Sequence, residues 1–240
     1  MKAENLNIVM VGTTHPGNIG AAARAMHNMC VPNLVLVKPQ CPVGEIAYAR
    51  ASGASVILDQ RKNVDSLKQA IRDCSLVIAT SARSRSLPWP ELSPGQMAQK
   101  IWRLSDQSSV ALVFGPEHSG LSNDELQFCH FSVSIPTNPE FSSLNVASAV
   151  QVLCYEIYRI AENTPVREAR ESSEPVATSD DLEAYFGHLE QVLIKTRFLD
   201  TDNPGLLMQR LRRLYQRIDL SKSEVNILRG ILSSVEKYKT

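Results

Sequence analysis

The segment Asn138-Pro-Glu-Phe-Ser-Ser-Leu-Asn145 runs straight into the apolar stretch Val146-Ala-Ser-Ala-Val150. Pro139 excludes helix before it, and Ser143 or Asn145 offers a side-chain oxygen to cap the helix that follows. Amides and hydroxyls gathered at a helix N-terminus form a binding surface for a polar ligand, although alone the segment reads as an ordinary capped helix. A second polar loop, Val113-Phe-Gly-Pro-Glu-His-Ser-Gly-Leu-Ser122, closes the apolar run Val110 to Phe114. Gly115 and Gly120 permit close approach of a ligand to the backbone, and Glu117 between them is a solvated acid or a partner for an arginine or ligand. A third, Gly12-Thr-Thr-His-Pro-Gly-Asn18, follows the strand-like Leu6-Asn-Ile-Val-Met-Val11 and leads into a helix from Ile19 to Met29 that carries Arg24 and His27.

These loops must be positioned by the elements around them. Apolar runs at Ile8 to Val11, Leu34 to Val37, Val56 to Leu58, Leu76 to Ala79 and Val110 to Phe114 alternate with helical stretches, which predicts an α/β fold with a parallel sheet. A short strand, Phe131 to Ile135, precedes a long helix ending near Ile160. In such sheets ligands bind beyond the carboxyl ends of the strands. The loops after Val11, Ala79, Phe114 and Ile135 are therefore expected to converge. Residues 162–179 are polar, charged and proline-containing, and read as a linker between a domain over 1–161 and a small all-α domain over 180–240. Three helical stretches are expected there, Asp180 to Thr196, Pro204 to Arg217 and Ser221 to Tyr238. Pro204 is placed at a helix start, and Ser221-x-x-Glu224 matches a capping box.

Several chemistries are excluded. Gly12, Gly17 and Gly20 do not give the G-x-G-x-x-G spacing, and Leu34-Val-Leu-Val-Lys38 ends in a lysine where a dinucleotide fold needs an acid. Asn18-Ile19 stands where a phosphate loop requires Lys-Ser/Thr, so an ATPase is rejected. The five cysteines and five histidines show no ligand spacing, which predicts reduced thiols, no metal and no disulfide framework. Neither a secretory signal nor a membrane-length apolar segment is visible, so a cytoplasmic protein is expected. The formal charge balances, 25 basic against 25 acidic residues. Its distribution is uneven: residues 161–190 hold eight acids and two bases, and residues 191–217 hold six bases and two acids. That pattern is compatible with RNA gripped locally, and equally with two solvated helix faces.

Taken in order, Asn18-Ile-Gly-Ala-Ala-Ala-Arg24, the loop of Glu117 and Ser143-Leu-Asn145 resemble the three motifs of the SPOUT methyltransferases, in the SpoU branch. Thr80-Ser-Ala-Arg-Ser-Arg-Ser-Leu-Pro-Trp-Pro90 and the segment at Asn138 resemble, more narrowly, the bacterial tRNA (cytidine/uridine-2′-O)-methyltransferases, and the likeness spans the chain. It implies transfer of a methyl group from S-adenosylmethionine to the ribose 2′-hydroxyl of cytidine or uridine at position 32 of the tRNA anticodon loop, a C-terminal trefoil knot in the catalytic domain, and a homodimer. The alternatives are another tRNA or rRNA nucleotide, or a non-catalytic RNA-binding module of the same fold.

The resemblance also assigns residues. Thr80, Ser81, Ala82, Gly115, Ile135, Ser142, Ser143 and Leu144 are implied to hold the cofactor. Asn18, Arg24, Glu117, Ser143 and Asn145 are implied at the catalytic centre. Arg24 is given an activating role, but a guanidinium is hardly ever deprotonated. It is better read as orienting the ribose or phosphate and stabilising alkoxide charge. Glu117 is expected to pair with an arginine or order its loop, and Asn145 to organise the site beside Ser143. Arg24, Arg83 and Arg85 are expected RNA contacts, with Arg210, Arg212, Arg213 and Arg217 on the C-terminal module. Trp89 is either a base contact or a core anchor between two prolines. Two departures stand out: Phe141 replaces a common tyrosine, and Cys30 replaces a common helix-ending glycine.

Overall fold

The computed structural model describes residues 3–81, 89–104, 108–163 and 174–238. The chain divides into two compact units, residues 1–170 and 171–240.

In the first unit the elements run β1 (Leu6–Val11), α1 (Pro16–Asn28), β2 (Asn33–Val37), α2 (Glu45–Ala51), α3 (Ser55–Asp59), β3 (Lys62–Val64), α4 (Leu67–Ile71), β4 (Cys74–Thr80), β5 (Glu91–Leu92), α5 (Pro94–Arg103), β6 (Ser109–Phe114), α6 (Asn123–Leu126), β7 (Phe131–Val133) and α7 (Val146–Asn163). Among the described residues the strands form one sheet of order β3-β2-β1-β6-β4-β7-β5, and every pairing is parallel. The central strands β1, β2, β4 and β6 are largely apolar because the sheet is covered on both faces there. Leu6, Ile8, Met10, Leu76, Ile78, Leu112 and Phe114 share a buried cluster with residues of α1, α5 and α7. The intervening Val9, Val11, Val77, Ala79, Ala111 and Val113 form a second cluster with α4, α6 and Cys129. Burial pushes the thiols of Cys74 and Cys154 up to about 11 and about 12, so they act as core residues.

Two expectations are corrected here. Val56 to Leu58 is not a strand but part of α3: Ile57 and Leu58 are buried while Val56 is 40% exposed. A three-residue apolar run is too short for periodicity to separate strand from helix. The strand itself is the polar Lys62–Val64, an edge strand joined to β2 by backbone pairing, with no apolar signature. The expected strand at 131–135 ends at Val133, and Ser134 N–H still donates to Leu92 O at 3.3 Å.

The second unit contains α8 (Ser179–Lys195), α9 (Leu207–Tyr215) and α10 (Lys222–Tyr238). Thr178 opens α8 with a reciprocal capping box to Asp181. Ser221 and Glu224 form the expected box, Ser221 N–H to Glu224 Oε2 at 2.7 Å and Glu224 N–H to Ser221 Oγ at 3.2 Å. The core joins Leu182, Phe186, Leu189, Val225 and Leu232 to Tyr185, whose ring meets Tyr215 edge-on at 5.1 Å. Pro204 does not start a helix. It precedes Gly205 at φ +54°, and α9 begins three residues after the proline. Residues 175–177 are tied in too, with Ala177 N–H donating to Leu220 O at 2.8 Å.

Candidate active site

β1, β6, β4 and β7 are consecutive in the sheet, so the four loops singled out by their polar residues leave it side by side. β1 is also where the strand order turns outward in both directions, the place where open parallel sheets form a crevice.

An open cleft lies beyond the carboxyl ends of β4, β6 and β7. Its walls are Thr80 at the end of β4 and Ser81 after it, Gly115 to Gly120 after β6, Ile135 after β7, and Ser142, Ser143 and Leu144 before α7. Phe114, Val133, Val146 and Ala149 add an apolar floor. The walls are held by their own bonds. Thr80 Oγ1 donates to Val113 O at 3.1 Å, and Ser81 N–H donates to Val133 O at 3.0 Å. The loop after β6 doubles back so tightly that a Cβ at Gly115 would stand 2.3 Å from Leu121 N and 2.4 Å from the Gly120 carbonyl carbon. Gly120 itself lies at φ +65°, with its N–H on Pro116 O at 2.9 Å. The loop before α7 turns on Asn138, whose Oδ1 accepts from Glu140 N–H at 3.0 Å and whose carbonyl accepts from Phe141 N–H at 3.0 Å.

The three motifs are joined by one chain of hydrogen bonds. Glu117 Oε1 accepts from Asn18 Nδ2 at 2.8 Å, and Glu117 Oε2 accepts from Thr14 N–H at 3.1 Å and Thr14 Oγ1 at 3.0 Å. Asn18 Oδ1 in turn accepts from Asn145 Nδ2 at 2.9 Å, and Asn145 Oδ1 caps α7 at Ala147 N–H, 2.9 Å away. Burial is the largest single influence on Glu117 and pushes its carboxyl up. The bonds from Asn18, from its own backbone and from Thr14 together outweigh it, leaving Glu117 below the ordinary glutamate value. The expected arginine partner is thus replaced, among the described residues, by two neutral side chains. A loop acid surrounded by asparagine and threonine gives no sequence sign of which will reach it.

Thr80, Ser81, Gly115, Ile135, Ser142, Ser143 and Leu144 are gathered in the cleft; Ala82, Arg83 and Arg85 lie outside the described residues. Asn145, not Ser143, is the helix cap. Arg24 is exposed on α1, about 9 Å along the helix axis from Asn18, and is not among the residues lining the cleft. Trp89 is half-buried and its indole donates to Cys129 O at 2.8 Å, which makes it an anchor of its own loop. Val146 and Ala149 were not singled out; their i, i+3 spacing after Asn145 is the signal that puts them on the cleft side of α7. His118 also lines the cleft, and its ring faces His15 edge-on at 6.3 Å.

In the helical unit Arg212 is turned inward. Its guanidinium is paired with both oxygens of Glu183 and lies over the Phe186 ring, 4.6 Å from the centroid. Arg210 and Arg213 lie three apart on α9, which puts them along one side, and Arg217 follows in the turn after the helix; Arg210 and Arg217 are exposed. Among the described residues no group of three or more His, Cys, Asp or Glu is placed to hold a metal, and no helix is long and apolar enough to cross a membrane.

Comparison with known proteins agrees with this layout. Residues 5–155 match the SpoU rRNA Methylase family, and residues 180–240 match the C-terminal domain of tRNA methyltransferase TrmJ. The chain is 50% identical to the tRNA (cytidine/uridine/adenosine-2′-O-)-methyltransferase TrmJ of Pseudomonas aeruginosa, over 98% of this chain and 95% of that one. It is 48% identical to the tRNA (cytidine/uridine-2′-O-)-methyltransferase TrmJ of Salmonella typhimurium, over 98% and 97%. The crystal structure of TrmJ from Z. mobilis superposes with a TM-score of 0.83 at 34% identity, covering 96% of this chain and 98% of that one. Fold and cleft define a methyltransferase with a SpoU-type catalytic unit followed by a helical module. Within that class, the chain belongs to the TrmJ family.

Proposed function

We propose that the protein methylates the ribose 2′-hydroxyl of cytidine or uridine in tRNA, at position 32 of the anticodon loop, using S-adenosylmethionine. One observation carries the reading: the cleft walled by Thr80, Ser81, Gly115, Ile135 and Ser142 to Leu144 adjoins the chain Glu117–Asn18–Asn145. The fit is chemical as well as spatial. The bare Cα of Gly115 and the small residues at 80, 81, 142 and 143 leave backbone groups open to a nucleoside, and Ile135, Leu144 and Val146 offer apolar surface to its flat base. S-adenosylmethionine supplies an electrophilic methyl group on a sulfonium sulfur. The chain's own part is to hold donor and acceptor in line, which is where much of the rate of such a transfer arises.

Arg24 orients the ribose or its phosphate and stabilises charge developing on the 2′-oxygen. Its exposed position outside its own protomer's cleft suits a homodimer in which one protomer's Arg24 serves its partner's site. Arg83 and Arg85 contact tRNA phosphates, while Arg210, Arg213 and Arg217 do so on the helical module. Arg212 supports that face from within. The reading keeps a catalytic domain, expected over 1–161, with a C-terminal trefoil knot and a tRNA-binding helical domain, expected over 180–240; the linker expected over 162–179 is shorter at both ends, since α7 runs to Asn163 and residues 175–179 belong to the helical unit. The protein acts in the cytoplasm without a metal.

The experiment is methyl transfer from labelled S-adenosylmethionine to unmodified total tRNA, with nuclease mapping of 2′-O-methyl nucleotides. A single anticodon-loop Cm or Um at position 32 is the expected result. Methylation elsewhere would overturn the site assignment, and RNA binding without transfer would make the protein a binding module.

A further inference from the structure

We propose that Thr14 is a positioning residue for methyl transfer: its hydroxyl and N–H fix the Glu117 carboxylate, and through it the Asn18–Asn145 amide chain at the start of α7. The inference rests on the methyl-transfer reading of the cleft.

Thr14 lies in the loop after β1, and its backbone is fastened from the side of β2. Gly12 turns at φ +59° and donates its N–H to Val37 O at 2.8 Å. Thr13 is buried, and its carbonyl accepts from Gln40 N–H at 2.9 Å and from Cys41 Sγ at 3.5 Å. With those groups engaged on one side, both donors of Thr14 converge on a single oxygen, Glu117 Oε2, at 3.1 and 3.0 Å. A glutamate side chain has three rotatable bonds, and one hydrogen bond leaves its terminal torsion loose. Two donors on Oε2 settle that torsion and aim Oε1 at Asn18 Nδ2. The aim matters because Asn18 has only one acceptor oxygen, and that oxygen receives Asn145. If Glu117 swings away, Asn18 is free to flip its amide, and a flipped Asn18 presents a donor to the donor of Asn145. The two donors of Thr14 thus hold the polarity of a chain that ends two residues from Ser143 and one from Leu144, and loss of the hydroxyl leaves Oε2 with the N–H alone from this residue.

The test uses the full-length protein in methyl transfer to unmodified tRNA, comparing Thr14→Val, which keeps the β-branch and the N–H, with Thr14→Ser, which restores the hydroxyl. Expected are about a tenfold loss of kcat/KM for the valine variant, recovery to within about twofold for serine, and no further loss from Thr14→Val in a Glu117→Ala background. If the valine variant does not fold, Thr14→Ala takes its place in the same cycle. Wild-type rate without the hydroxyl, a serine variant as slow as valine, or a full additional loss in the Glu117→Ala background would overturn the role. Absence of transfer by the wild-type protein would overturn the methyl-transfer reading itself, so the two failures are distinct.

Discussion

Asn145 Nδ2 donates to Asn18 Oδ1 at 2.9 Å, a bond between residues 127 positions apart. A carboxylate only accepts, so Glu117 fixes Nδ2 of Asn18 as its donor, which leaves Asn18 Oδ1 for Asn145 and Asn145 Oδ1 for the Ala147 N–H. Each amide orientation follows from the one before it. Asn145 therefore does two jobs, capping α7 and tying it to α1.

Substitution separates those jobs. Asn145→Ser keeps a good helix cap but lacks the reach to Asn18, whereas Asn145→Ala loses both. The alanine variant is expected to destabilise the catalytic unit by about 1 kcal/mol and serine by only a few tenths. Both are expected to lower methyl transfer about tenfold or more, because the cleft wall loses its tie. Thermal melts beside transfer assays decide it. A serine variant with full activity would show that only the cap matters.

Glu117 makes the network sensitive to acid. Its folded value is lowered, so it contributes stability above the unfolded value near 4.5, and that contribution is lost as pH falls through the lower folded value. Glu117→Gln places an amide donor or a weaker acceptor against Thr14 and Asn18, and should melt below wild type near neutral pH. The gap should close below the ordinary glutamate range, where the wild-type side chain is protonated as well. Paired melts across that range test this, and a gap independent of pH would mean that the charge of Glu117 carries no weight.

Cys30 is the residue whose departure from glycine left the cap geometry open. α1 ends in a Schellman motif, with Val31 N–H on Met26 O at 3.0 Å and Cys30 N–H on His27 O at 3.2 Å, and Cys30 sits at φ +57°. A side chain in the left-handed region costs about 1 kcal/mol relative to glycine. Cys30→Gly should therefore raise stability by about 0.5–1 kcal/mol, less the entropy glycine gains in the unfolded chain. An unchanged or lowered melting temperature would show that the thiol makes compensating contacts.

Local chemistry was readable from these residues, and pairing across the fold was not. The buried strands announced themselves through continuous Val, Ile and Leu runs, and the box at Ser221 and Glu224 through its spacing. β3 was hidden because an edge strand held by backbone bonds needs no apolar residue. The convergence of the loops followed from a rule of parallel sheets, yet the contact of Asn18 with both Glu117 and Asn145 depends on β1 lying beside β6 and α1 beside α7. No spacing along the chain encodes that. Arg212 shows the same limit: its neighbours Arg210 and Arg213 gave it the look of a surface charge, and only helix geometry turns it the other way.

That reversal separates two kinds of arginine in the helical unit. The side chains of Arg212 and Glu183 are only 13% and 11% exposed, so removing one takes a close, largely desolvated counter-charge from the other. Arg212→Ala should destabilise the unit by about 3 kcal/mol, with lost stacking on Phe186 adding to the effect. Arg210 is exposed and Arg213 partly buried without an ion pair among the described residues, and replacing both by alanine should cost less than about 1 kcal/mol. If they face phosphates, the double variant should bind tRNA more weakly, with a salt-dependence slope lower by roughly 1 for each residue removed. Hydrogen exchange in α8 and α9 reads the first effect, and tRNA binding at several salt concentrations reads the second. Should Arg212→Ala lower the salt slope without loosening α8, its inward pairing would not hold in the complex, and the basic face would include all three arginines.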